Sequence, residues 1–190
     1  MERQAVIALP AAESRDEDSL VSAARDGDRA AFGCLYDRYA RMVHGILLAR
    51  VPPREVDDLV QEVFIKALRR LSTLRDARSF GPWLAAIARN AANDFHRHSI
   101  PADELGDEAR SEATSGMSTA AAVLDAVRGL PDTYKETLIL RLVEGMTGPE
   151  IAARTGLTHG SVRVNLHRGM EQLRAKLRMN SRGNEPQEMP

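Results

Sequence analysis

Residues 145–177 read GMTGPEIAARTGLTHGSVRVNLHRGMEQLRAKL. Thr147 and Glu150 stand at the spacing of a capping box, so a helix begins there. Ile151 and Ala152 fall on its inner face, where small side chains permit a close helix crossing. Gly156 sits where a left-handed residue ends a helix, and Leu157 can plug the core between this helix and the next. Thr158 then caps a new helix with Ser161 at its third position. In that helix Val162, Leu166, Met170, Leu173 and Leu177 form the expected buried stripe. His159, Gly160, Ser161, Arg163, Val164, His167 and Arg168 are left facing outward near its start. Two helices so joined make a helix-turn-helix, whose second helix enters the major groove of DNA. Arg can pair bidentately with a guanine edge or hold a phosphate. An ordinary solvated basic helix would explain the arginines but not the capping and turn signals around them.

The net charge of the 190-residue chain is −1, which hides strong segregation. Residues 154–178 carry six Lys/Arg against Glu171 alone, whereas residues 99–120 carry acids at 103, 104, 107, 108 and 112 against Arg110 alone. A field is set by local clustering, so the total does not exclude DNA. Cys34 is the single cysteine, which excludes a disulfide framework or a cysteine-rich metal site; among Phe32, Leu35 and Tyr36 it reads as a small buried thiol. The opening segment is broken by Pro10 and followed by acids, unlike a signal peptide.

Upstream, helical periodicity recurs in three further runs. Phe32, Leu35, Tyr36, Tyr39, Val43, Ile46 and Leu47 repeat until Pro52 and Pro53 end the run. Val56, Leu59, Val60, Val63, Phe64, Ala67, Leu68 and Leu71 then form one apolar face. Trp83, Leu84, Ile87, Ala88, Ala91 and Phe95 mark a third helix ending near His98. No stretch alternates with period two over enough residues to suggest a strand. The expected fold is all-α, with two small helical domains at 20–98 and 120–178 joined by a flexible acidic linker at 99–119. Segments 1–19 and 179–190 read as a disordered leader and tail.

Two outward faces stand out. The helix from Arg54 to Leu71 exposes Asp57, Asp58, Gln61 and Glu62; favourable placement near the helix N-terminus accounts for the first two better than for the last two. The third helix carries Asn90, Asn93, Asp94 and Arg97 on one stripe. Amides are mediocre helix formers but suit base edges. The preceding loop adds Arg75 and Arg78 for phosphates and Leu74 and Phe80 as apolar surfaces for an unpaired base. The spacing of Trp83 with Leu84 and Ile87 favours a core role over stacking on DNA and leaves stacking open.

The segments VDDLVQEVFIKALRRL (56–71), ARSFGPWLAAIARNAANDFHRH (77–98) and the block from Leu130 to Leu177 occur in an order that resembles a bacterial RNA polymerase sigma factor of the extracytoplasmic-function group. The resemblance implies a sigma-2-like domain, a sigma-4-like helix-turn-helix domain and a non-enzymatic, cytoplasmic initiation factor without a cofactor. It implies that Asp57, Asp58, Gln61 and Glu62 dock on the β′ coiled coil of core polymerase, with the β subunit also a partner. It further implies that Arg75, Arg78, Phe80, Asn90, Asn93 and Arg97 engage the promoter −10 element, with Asn90 matching the family's asparagine beside a loop that captures a flipped base. His159, Ser161, Arg163, Val164, His167 and Arg168 would read the −35 element. The acidic linker would thread the polymerase channels; read by itself, it is a solubilising tether. A cognate anti-sigma protein is implied, and direct membrane insertion is not.

The recognition helix departs from the family's usual run of small and basic residues at Val164, Asn165, Gly169 and Met170. Weak DNA binding by the isolated domain and a divergent −35 preference are therefore expected, and Gly169 should cost roughly 1 kcal/mol against Ala. No Ser-His-Asp set, metal-ligand cluster or phosphate-cradling glycine loop is present. The rival reading is a one-component helix-turn-helix regulator with an N-terminal ligand-sensing domain. A second rival is an adaptor using the N-terminal helices only for protein contact.

Overall fold

The computed structural model describes residues 16–98 and 119–183. Residues 1–15 of the expected leader, 99–118 of the acidic linker and 184–190 of the expected tail lie outside the described residues. Among the described residues every regular element is helical. The helices are α1 (Glu17–Arg25), α2 (Arg29–Leu48), α3 (Val56–Arg70), α4 (Phe80–His98), α5 (Thr119–Arg128), α6 (Asp132–Leu142), α7 (Gly148–Thr155) and α8 (His159–Gly183).

Helix α1 enters the segment read as leader and was not expected from periodicity. Its apolar residues Leu20, Val21 and Ala24 are buried and Ala23 is half-buried, seating it against α2. At the other end α8 runs on to Gly183, past the expected start of the tail. The start of α2 is fixed by Asp28, whose side chain accepts from the Ala30 and Ala31 amides at 2.8 and 3.1 Å. Helix α2 is the hub of the molecule, touching α1, α3, α4, α6 and α7. Leu35, Tyr39, Met42, Val43, Ile46 and Leu47 supply its buried face. Helix α3 buries Val56, Leu59, Val60, Val63, Phe64 and Ala67, but Leu68 is half exposed. At about 100° per residue Leu68 lies roughly 80° round from Val60, off the core-facing stripe where periodicity had put it.

The second helical unit closes over α8, against which α5, α6 and α7 pack. The helix-turn-helix forms as its sequence dictates. The Thr147 hydroxyl accepts from the Glu150 amide while the Glu150 carboxylate accepts from the Thr147 amide at 2.7 Å. Those hydrogen bonds hold the exposed Glu150 carboxyl below its ordinary range. Gly156 takes a left-handed φ of 78°, and the Thr158 hydroxyl accepts from the Ser161 amide at 3.1 Å.

Gly169, read from sequence as a weak point among DNA-facing residues, instead faces inward. A Cβ there would stand 3.0 Å from Leu138 Cδ1 and 3.2 Å from Tyr134 Cβ, so the glycine lets α8 cross α6 closely. Asn165 is buried and Met170 half-buried, so of the four departures only Val164 lies on the exposed side of α8. Gly169→Ala gains about 1 kcal/mol of helix propensity but overpacks a contact with a fully buried leucine, at about 1–3 kcal/mol. A lower melting temperature is expected, read by thermal unfolding; a raised one would show that Leu138 moves aside freely.

The two helical units are not separate. Helix α2 packs on α6 and α7, and α4 packs on α7. Gly81 permits one close approach, since a Cβ there would meet the Arg154 carbonyl oxygen at 2.8 Å. Glu136 on α6 is 5% exposed and bonded to Arg50 in the turn after α2 at 2.6 Å and to Arg89 on α4 at 2.7 Å. The Arg128 guanidinium donates to the Val51 carbonyl, and Arg154 lies over the Tyr39 ring at 5.8 Å.

Candidate nucleic-acid interface

The capped start of α8 presents His159, Ser161, Arg163, Val164, His167 and Arg168 to solvent, while Val162 is buried beneath them. This exposure follows from the 3.6-residue period: the buried positions 162, 165, 169 and 173 hold one face of α8 down and turn the opposite face outward. His167 approaches Glu171 at 3.5 Å, an exposed i, i+4 contact that DNA can displace. The helix N-terminus adds free amides and a partial positive charge toward phosphate.

On α4, Asn90, Asn93 and Arg97 are exposed and Asp94 is half-buried, so the stripe expected from sequence is one face of one helix. Arg97 donates to Asp94, and this exposed pair must part before Arg97 can contact a phosphate. Arg75 and Arg78 are exposed in the segment before α4. Arg78 is held by Asp76 at 3.2 Å, which lowers the Asp76 carboxyl and raises the guanidinium.

Phe80 does not belong to this surface. It is fully buried, edge-on to Tyr39 with centroids 5.1 Å apart, and Leu74 is buried as well. The reason lies in spacing: Phe80, Leu84, Ile87, Ala88 and Ala91 extend one buried stripe of α4. Trp83 is half-buried against the core, 5.8 Å from the Phe80 ring. The loop also stands apart from the amides. Asn90 is ten residues along α4 from Phe80, about 15 Å by helical rise, so Arg75 and Arg78 do not flank it as expected.

On α3, Asp57, Asp58, Gln61 and Glu62 are all exposed. Glu62 pairs with Lys66 at 3.6 Å. Sequence reasoning missed that Ile65 and Leu68, each half exposed, continue the face of Gln61 toward the C-terminus. The signal was available as the spacing 58, 61, 65, 68. Beside this face runs a groove of about 450 Å³, whose lining includes Asp57, Gln61, His44 and Glu144.

Comparison with known proteins fits this layout. The family described as Sigma-70 region 2 matches residues 35–99, and that described as Sigma-70, region 4 matches residues 120–173. RNA polymerase sigma factor CarQ of Myxococcus xanthus is 35% identical over 164 residues, covering 80% of this chain and 92% of that protein. ECF RNA polymerase sigma factor BldN of Streptomyces coelicolor is 33% identical over 167 residues, covering 81% of this chain but only 63% of BldN. The solved structure of CnrH in complex with the cytosolic domain of CnrY superposes with a TM-score of 0.61 at 28% identity, covering 86% of this chain and 97% of CnrH. These relatives do not favour the ligand-sensing regulator. Region 2 thus coincides with the unit carrying the acidic face of α3 and the amide stripe of α4, and region 4 with the helix-turn-helix. The chain belongs to the extracytoplasmic-function group of the sigma-70 family and is a promoter-directing RNA polymerase sigma factor.

Proposed function

We propose a division of labour among three faces of this sigma factor. The α3 face of Asp57, Asp58, Gln61 and Glu62 docks on the β′ coiled coil of core polymerase. The α4 stripe of Asn90, Asn93 and Arg97 holds bases and backbone of the opened −10 strand, with Arg75 and Arg78 on phosphates further along. The start of α8 reads the −35 element in duplex form. Amides suit base edges, since each offers a donor and an acceptor together, whereas arginines serve both phosphate and guanine. The family relationship supports reading the chain as a non-enzymatic factor that acts in the cytoplasm, on its template and polymerase. Likeness to CnrH, solved with part of a second protein, supports a cognate anti-sigma partner. Among the described residues no helix is long and apolar enough to cross a membrane.

The observation that carries this reading is the exposed set on the capped start of α8, from His159 to Arg168. Arg163→Ala and Arg168→Ala separate its two modes. Loss of a phosphate contact weakens binding evenly across sequences and lowers the salt slope by about one. Loss of a base contact costs roughly 1–3 kcal/mol at one position and relaxes the preference there. Arg163 is assigned to a base or its neighbouring phosphate, and Arg168 to phosphate. Transcription from a −35-dependent promoter is the assay, and no change with either substitution would remove α8 from promoter recognition.

A further inference from the structure

We propose that Val164 reads the 5-methyl group of a thymine in the −35 duplex and so sets the base preference at one position through an apolar contact. This inference deepens the assignment of the start of α8 to the −35 element and rests on it. Among the described residues Val164, 41% exposed, is the one large apolar side chain that α8 leaves open. At about 100° per residue it stands roughly 200° round from the buried Val162, at the centre of the outward face. Gly160 and Ser161 lie one turn before it and His167 and Arg168 one turn after, all exposed. A helix with its side chains is about 10–12 Å across and the major groove about 12 Å wide. A seated helix therefore turns the centre of its outward face to the base edges and its flanks to the backbone. The side chain best placed to touch a base is thus one that forms no hydrogen bond.

Folding does not account for this residue choice. Val164 stays outside the hydrophobic core, and its β-branch makes it a poorer helix former than Ala or Lys. The same branching suits a contact, because a side chain already confined to one rotamer loses little freedom on meeting a partner. Gly160 is an independent observation. A Cβ there would meet only the Thr158 hydroxyl, at 3.8 Å, so neither close packing nor a left-handed backbone calls for glycine. Its effect lies outward: bare backbone one turn before Val164 gives a short side chain room to reach the groove floor. The neighbouring Ser161 hydroxyl is already engaged with that of Thr158 at 2.8 Å. Thymine alone presents an apolar group in the major groove, its 5-methyl. The other bases present donors or acceptors that valine cannot satisfy, and covering such a group without a partner is costly. The contact therefore favours thymine and disfavours its competitors together.

The test uses holoenzyme, assembled from core RNA polymerase and the full chain, in run-off transcription at limiting template. Promoters randomised through the −35 element first give the preferred base at each position. Each preferred thymine, on either strand, is then replaced singly by deoxyuridine, which deletes the methyl and leaves every hydrogen-bonding group in place. One such replacement should lower wild-type transcription about fourfold, the equivalent of ~0.8 kcal/mol for one buried methyl-sized group. Val164→Ala keeps the helix, since Ala is the better helix former and no core contact is lost. This variant should use thymine and deoxyuridine templates equally at that position while keeping the wild-type preferences at the others. Where cytosine is placed at the same position, its 5-methylation should raise transcription by wild type and not by the variant. A −35 preference with no thymine on either strand, equal use of thymine and deoxyuridine by wild type, or full discrimination retained by Val164→Ala would each overturn this proposal alone. Absence of any −35 preference in wild type would overturn it together with the reading of α8 on which it rests.

Discussion

Replacing Asp58 and Glu62 together by lysine is expected to abolish co-elution with core RNA polymerase while leaving helicity intact. Both side chains are exposed on α3, and their roles in folding are small. Asp58 lies in the first turn, where a carboxylate stabilises a helix by about 0.3–1 kcal/mol. Glu62 makes one i, i+4 pair with Lys66, worth about 0.2–0.5 kcal/mol. Neither loss threatens a unit whose α3 buries Val56, Leu59, Val60, Val63, Phe64 and Ala67. Reversing two charges opposite a basic partner is a larger effect, because like-charge juxtaposition at an interface costs several kcal/mol. Far-UV circular dichroism and size-exclusion chromatography at physiological salt provide the paired readout. Retained co-elution would remove this face from the docking account.

Asn90→Ala is expected to impair strand opening in a sequence-dependent way without loss of stability. Asn90 is exposed on α4, and Ala is the better helix former, so the fold is preserved or slightly strengthened. An amide paired with one base edge contributes about 1–3 kcal/mol of discrimination, or roughly 5- to 150-fold at that position. The helices proposed for core binding, α3, and for duplex binding, α8, are different ones, so both activities should persist. Permanganate footprinting of the start region, with holoenzymes at matched occupancy, should show reduced opening. Promoters altered at one −10 position should lose their ranking. Unchanged opening and ranking would make Asn90 an ordinary surface residue.

Much of the helix-turn-helix was legible because its determinants are local. Thr147 with Glu150, the left-handed Gly156, and Thr158 with Ser161 each act within a turn of the chain. The α4 amide stripe was legible for the same reason. What escaped depends on partners distant in sequence. Helix α1 offers a short apolar set, Leu20, Val21 and Ala24 with Ala23 beside them, which becomes a core face once α2 is present to cover it. Phe80 was read with the loop before it, although its spacing to Leu84 and Ile87 joins it to the buried stripe. Gly169 and Asn165 looked like departures on a DNA-facing helix until Leu138 and Tyr134 of α6 placed the glycine at a helix crossing. Packing of the two units on each other had no periodic signature at all. Glu136, Arg50 and Arg89 each read as an ordinary charged residue, and only the tertiary structure makes them a buried set.

Reconstitution tests the central claim most directly. Core RNA polymerase is combined with the purified chain on a promoter carrying −35 and −10 elements, and run-off transcription is measured beside core alone. The account predicts co-elution with core and a discrete transcript that needs the chain and both elements. A stable homodimer that binds an isolated operator duplex tightly, with no co-elution and no chain-dependent transcript, would contradict it.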